Sequence, residues 1–395
     1  MTNIFQERYY KINKTLLILV GGWPYVSLPV RNTVLTFAFC IAVSGVIPQI
    51  IAVSQVLDDW DIVVDSITPF AINVAFGIKL LNIAINAEKM QKILEHIRID
   101  WLSLVGKSEL RIMHEYAERG RQFTIVYATG VYAFTLLFLT KPVATKILQD
   151  LKLLNDSEPA KYPLLLNYYF FDTEANYYSV LPVTYLCTVI VTTGIAAADT
   201  LFIVQVQHGC AMFSILGHQF QRMVDKITDD WTICSRPVDD SAYTHISTCI
   251  RNHNKVLEFS NLLESVYSMA LLSIVGMNTI LISVTGYQSV MIMDEKPMDA
   301  LRYIAATVAL LVHLFFQSYF SQKLINHSED VRHCLYEVEW YRATPCTQKL
   351  LTFILMRTLI PCRLTAGKLL VMSLESFTSV LKTSMSYFTL LRSMQ

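Results

Sequence analysis

Two groups of residues in this 395-residue chain could do chemistry. The first is ionisable: Asp65, Lys79, Asp199, Glu375 and Lys382 each interrupt a long apolar run. A charge in hydrocarbon is expensive, so such residues pair with one another, reach for an interface, or mark a pathway for ions or ligands. The second is the C-terminal stretch "SVLKTSMSYFTLLRSMQ", Ser379 to Gln395. At 100° per residue, Ser379, Lys382, Thr383, Thr389, Leu390 and Ser393 fall within about 60° of Ser386, while Val380, Leu381, Met385, Phe388 and Leu391 lie opposite. A Ser/Thr stripe on a membrane helix either packs against another helix or forms the polar wall of a water-filled path. In the second case Leu390, with Met394 one turn on, supplies the apolar constriction that gates by dewetting. One chain offers only one such helix, so a pore needs several subunits around an axis.

Other chemistries find no support. Nine histidines are scattered without an HExxH pattern, and the tightest group, His327, His333 and Cys334, reads as solvated cytoplasmic residues because a metal site needs converging ligands. There is no GxSxG, no P-loop and no Gly-rich phosphate cradle, so no enzyme and no cofactor is expected. The eight cysteines lack both CxxC spacing and a disulfide framework. With zero net charge, the chain has no basic field to recruit nucleic acid.

The elements that position these residues are membrane helices. The chain is 53% hydrophobic and 16% charged, with the apolar residues in long blocks. Seven blocks reach the length of about 20 residues needed to cross a bilayer: roughly 33–54, 62–86, 123–140, 179–206, 265–290, 303–321 and 364–391. Lys and Arg are roughly threefold more frequent in segments on the N-terminal side of this array than on the other. The expected fold is therefore an all-α membrane protein of seven helices, N-terminus cytoplasmic and C-terminus extracellular. That orientation is the reverse of a G-protein-coupled receptor. The absence of an internal repeat argues against a secondary transporter. Of three Asn-x-Ser/Thr sites, Asn155 falls outside and is the expected glycan acceptor, whereas Asn13 and Asn326 fall inside.

Several helices outrun the membrane. The apolar pattern of span 4 continues through Met212, Phe213, Leu216, Phe220, Met223 and Ile227, and span 5 is approached from Ser241 over a similar distance. Thr344 and Pro345 open a further short helix that stops by Pro361. The expected organisation is a cytoplasmic segment 1–32, spans 1–6 over 33–321 with helical extensions at about 207–264, anchor helices over 322–363, and a pore-lining helix over 364–395. Asp65 and Lys79, near opposite ends of span 2, are expected to reach the interfaces. Asp199, among small alanines in "AAADTLF", is expected to bond to a neighbouring helix.

Seven inverted spans, cytoplasmic extensions, "AAADTLFIVQVQHGCAMFSILG" closing span 4 and the C-terminal "LKTSMSYFTLLRSM" together resemble the insect odorant receptor family, over the whole chain. The roughly 50 residues between spans 4 and 5 are similar to the odour-tuning type and shorter than the insertion of the shared co-receptor. Gustatory relatives typically end span 7 with Thr-Tyr and a later Gln-Phe, where this chain has Ser386-Tyr387 and Arg392-Ser393. The resemblance implies a ligand-gated, non-selective cation channel in the plasma membrane of olfactory neuron dendrites. It implies a tetramer with co-receptor subunits, helix 7 lining the pore, gate positions at Leu390 and Met394, and a polar pore residue at Ser393.

An odorant chamber should be apolar with few polar handles and should lie in the outer half of the bundle. Matching depths along spans 2 to 6 nominates Phe70, Asn73, Gly130, Val131, Phe134, Leu181, Thr184, Tyr185, Thr188, Ile280, Tyr303 and Thr307. None carries a fixed charge, which points to a small neutral or lipid-like ligand.

Overall fold

The computed structural model describes residues 4–55, 60–104, 106–150, 177–229, 241–294 and 297–393. The chain is built from α1 (Lys11–Leu19), α2 (Leu28–Gln55), α3 (Trp60–Ile85), α4 (Ala87–Ser103), α5 (Lys107–Asp150), α6 (Tyr177–Asp229), α7 (Ser241–Met291), α8 (Pro297–Tyr336), α9 (Pro345–Thr358) and α10 (Leu374–Ser393). Six of these, α2, α3 and α5 to α8, are long and apolar enough to cross a membrane. The seventh, α10, has 20 residues, about 30 Å of helix, and a more polar sequence. The expected all-α, multi-pass architecture is the one observed.

The extensions are present as expected. α6 runs for 53 residues and α7 for 51, about 80 Å and 76 Å, more than twice a bilayer core. Phe213, Leu216 and Phe220 on the α6 extension are fully buried. α6 is the axle of the bundle, touching α1, α2, α3, α5, α7 and α8. Its alanines make this possible, since Ala196 and Ala197 are completely enclosed and let neighbouring backbones approach. The segment between spans 2 and 3 is itself helical, forming α4 and the first turns of α5.

The N-terminal segment is folded onto the inner end of the bundle. Phe5, Tyr9, Tyr10 and Trp23 are buried with Trp101 of α4, and Trp101 Nε1 donates to the Tyr10 hydroxyl at 2.9 Å. Burial pushes the Tyr10 phenol well above its ordinary range, so it stays neutral. Asn13 is buried and donates to Thr124 Oγ1 at 3.3 Å.

Two expectations need correction. The last span does not begin at 364, because residues 364–373 form a short hairpin in which β1 (Thr365–Ala366) pairs antiparallel with β2 (Leu370–Val371). Gly367 at φ +62° and Lys368 at φ +60° make its turn, and Glu264 of α7 accepts from both the amide and the hydroxyl of Thr365. α10 then starts on a reciprocal cap: Ser376 N donates to Ser373 Oγ at 3.1 Å, and Ser373 N donates to Ser376 Oγ at 2.8 Å. Of the group expected to be solvated, His333 is exposed, but most other histidines are structural. His208 and His253 are buried, and His208 Nε2 lies 2.9 Å from Asp100 Oδ2. His327 donates from Nδ1 to the Lys323 carbonyl at 2.8 Å, which leaves Nε2 to accept from the Tyr116 hydroxyl at 2.6 Å. α9 conforms to expectation, with Thr344 as N-cap accepting from Thr347 N and Pro345 at the first position.

Candidate functional site

α10 presents two faces of opposite character. Ser376, Val380 and Ser384 are buried, with Phe377, Leu381, Phe388 and Leu391 half-buried beside them, whereas Met385, expected on this side, is exposed. The residues of the hydroxyl stripe, Ser379, Lys382, Thr383, Ser386, Thr389, Leu390 and Ser393, are all exposed. Among the described residues the stripe therefore packs against no other helix of its own chain. The hydroxyls of Thr383, Ser386, Thr389 and Ser393 are satisfied locally, donating to a carbonyl three or four residues back, as Ser386 does to Lys382 at 3.0 Å and Ser393 to Leu390 at 2.8 Å. Ser384, on the packed side, makes the interhelical contact instead: its Oγ donates to the Thr279 carbonyl of α7 at 3.2 Å, and Ser283 Oγ lies 3.0 Å from the Ser384 carbonyl. Leu390 is 55% exposed, and Met394 lies outside the described residues, as does Asn155.

A second site was missed by sequence reasoning in all but one member. Lys79 does not reach an interface. It is 5% exposed and forms a buried ion pair with Asp199, itself 7% exposed. Tyr127 of α5 donates its hydroxyl to Asp199 Oδ2 at 2.6 Å, and His313 Nε2 of α8 lies 3.3 Å from the same oxygen. The Asn278 amide Nδ2 of α7 lies 3.2 Å from His313 Nδ1, and the Gln317 amide Nε2 lies 3.1 Å from His313 Nε2. Side chains of α3, α5 and α8 thus converge on the carboxylate of α6, with α7 joined through His313, and Asp199 bonds across to neighbours as expected. The signal available in sequence was single polar residues, Asn278 and His313, inside otherwise apolar spans. Beside the pair is a cavity of about 30 Å³ lined by Lys79, Asn82, Asp199, Tyr267 and Gln317 among others. Asp65 side-chain placement lies outside the described residues.

The nominated chamber residues divide. Asn73, Thr184 and Tyr303 are buried, while Phe70, Val131, Phe134, Leu181, Tyr185, Thr188 and Thr307 are half-buried. Asn73 is turned toward α2, where its Nδ2 donates to Gln49 Oε1 at 3.2 Å. Tyr185 donates to the Leu139 carbonyl at 2.6 Å, and Thr307 shares a 2.7 Å hydroxyl bond with Thr285. Ile280 is 60% exposed on the flank of α7, and a Cβ at Gly130 would meet no atom within 4 Å. These two positions lie on the surface of the isolated chain and not within it. Among the described residues no group of three or more His, Cys, Asp or Glu could hold a metal ion.

Comparison with known proteins agrees with this architecture. In solved structures, the chain is similar to the insect olfactory receptor OR5 from Machilis hrabei, in complex with eugenol (TM-score 0.81) and without it (TM-score 0.79). Both share 12% identity and cover 99% of each chain, a likeness of fold. Among curated sequences, it is 24% identical to Odorant receptor 13a of Drosophila melanogaster over 80% of this chain and 76% of that one. It is 20% identical to Odorant receptor 22c of the same species over 98% and 97%. The family model described as 7tm Odorant receptor matches residues 61–385. The chain belongs to the 7tm odorant receptor family, a family of receptors.

Proposed function

We propose that this chain is the odour-tuning subunit of a heteromeric, ligand-gated, non-selective cation channel, with α10 lining a central pore. The observation that carries the reading is the outward polar face of α10. A spanning helix that turns Lys382 and a row of hydroxyls away from its own bundle needs water or other subunits on that side, because lipid would leave the ammonium unsolvated. Ser386 and Ser393 line the path, and Leu390 with Met394 forms the apolar gate. Other subunits, including co-receptor subunits in a tetramer, complete the ring. The exposed apolar residues Phe353 and Met356 on α9, with Ile360 just beyond its end, give the anchor region a surface for subunit contact.

The ligand is a small neutral odorant held in the outer half of the bundle by the buried and half-buried chamber residues of α3, α5, α6 and α8. The OR5 relative binds eugenol, a compound of this class. The protein acts in the plasma membrane of sensory dendrites. Co-expression with an odorant receptor co-receptor is expected to yield cation current evoked by members of a panel of straight-chain esters, alcohols and ketones together with eugenol. The current should persist when G-protein signalling is blocked. Loss of the current under that block would refute the channel reading.

A further inference from the structure

The Lys79–Asp199 cluster lies between the proposed chamber and the pore helix. Tyr127 is one helical turn inward of Val131 on α5, and Lys79 is one turn inward of Phe76 on α3. Phe76 is fully buried and seated on Gly194 of α6, where an added Cβ would come within 2.1 Å of its ring. The aromatic side chain and the ion pair therefore form successive layers beneath Phe70 and Asn73.

On its other side the cluster reaches α10 through α7. Asn278, whose amide lies beside His313 Nδ1, is adjacent in sequence to Thr279, whose carbonyl accepts from Ser384 of α10. Ser283 Oγ lies within hydrogen-bond reach of both that carbonyl, at 2.8 Å, and the Ser384 carbonyl of α10, at 3.0 Å, so its one O–H can serve either. A second link runs through α8, where Phe315, two residues from His313, packs edge-on against Phe377 of α10 with ring centroids 5.6 Å apart. Polar contacts buried in a low dielectric are strong when complete and costly when broken, so a network of this kind has discrete arrangements and not a continuum.

We infer that the buried pair Lys79–Asp199, with Tyr127, His313 and Asn278 around it, couples occupancy of the outer chamber to the position of α10. The inference rests on the channel reading. Its members are positioning residues for gating and do not touch the ligand.

The test uses the co-expressed heteromeric channel, with surface protein measured by biotinylation and concentration–response curves for three active members of the ester, alcohol, ketone and eugenol panel. Tyr127→Phe and Asn278→Ala are expected to raise the half-maximal concentration between about threefold and thirtyfold, by the same factor for every odorant and at unchanged surface level. The double variant should shift by less than the product of the two, since both act through one network. Lys79→Asp and Asp199→Lys should each silence the response, and the two together should restore part of it. The inference is overturned if the wild type responds and Tyr127→Phe and Asn278→Ala stay within twofold of it, if they reorder the odorants, or if their shifts multiply. Absence of current from the wild type would instead defeat the channel reading, so the two failures are separable.

Discussion

Ser384 Oγ donates to the Thr279 carbonyl at 3.2 Å, while Ser386, two residues further along α10, is exposed and bonds only within its own helix. Two serines in one short motif thus have opposite tasks. Ser384 fastens the helix to α7, and Ser386 belongs to the face turned away from the bundle. The hydroxyl-rich C-terminus is therefore a combination of a packing seam and a free polar wall, which a single-faced reading of its composition would merge.

The proposed gate is tested through that division. Leu390 is exposed on the outward face, and Leu391 is half-buried against the bundle. An apolar ring of narrow bore excludes water, and one hydroxyl in the ring eases hydration. Leu390→Ser is expected to raise resting current or odorant sensitivity in the co-expressed channel. Leu391→Ser should lower surface expression through lost packing and leave the remaining channels' gating intact. The reverse pattern in patch-clamp recordings would assign the pore to the wrong face.

The hairpin before α10 sets the helix in place and gives a stability prediction. Gly367 sits at φ +62°, and a Cβ there would come within 2.4 Å of Leu272 Cδ2. Gly367→Ala is expected to destabilise the purified protein by about 2 kcal/mol or more, from left-handed strain together with overlap. Gly130→Ala meets no atom within 4 Å and replaces a helical glycine, so it should be neutral or stabilise by up to about 1 kcal/mol. Thermal unfolding of the two variants beside wild type decides this. Equal melting temperatures for Gly367→Ala and wild type would contradict the turn assignment.

Much of this was legible in sequence. Six spans, the long extensions of α6 and α7, the Thr344 cap and the exposed face of α10 follow from apolar block length and helical periodicity. Lys79 was misread because a lysine near a span end ordinarily reaches water, and its partner lies 120 positions away. The start of α10 was misread because residues 364–373 are nearly as apolar as a span. The better signal was the Ser373–Ser376 pair, a capping box with serine where glutamate is usual. Ile280 and Gly130 were placed by depth alone, and depth carries no information about which side of a helix faces inward.

Glycosylation tests the orientation. Asn13 is buried against Thr124, and Asn326 accepts from Gln322 Nε2 at 2.7 Å within α8, while the hydroxyl of Ser328 is occupied by the Cys362 amide. Both sequons are locked in folded structure on the side expected to be cytoplasmic. Glycosidase treatment should shift the mobility of the wild type and leave Asn155→Gln unchanged. A shift that survives Asn155→Gln and disappears with Asn13→Gln or Asn326→Gln would invert the topology.

The most direct test of the account asks whether the outward face of α10 meets the conduction path. Cysteine is introduced at Ser386, exposed, or at Leu381, half-buried against the bundle, in the chain co-expressed with a co-receptor. A charged, water-soluble thiol reagent is then applied during odorant-evoked current, with the unmodified chain as control for its native thiols. The account predicts rapid loss of current in Ser386→Cys, and none beyond the control in Leu381→Cys. Current in Ser386→Cys that is as insensitive as the control, with block appearing in Leu381→Cys, would show that the polar face of α10 does not line the pore.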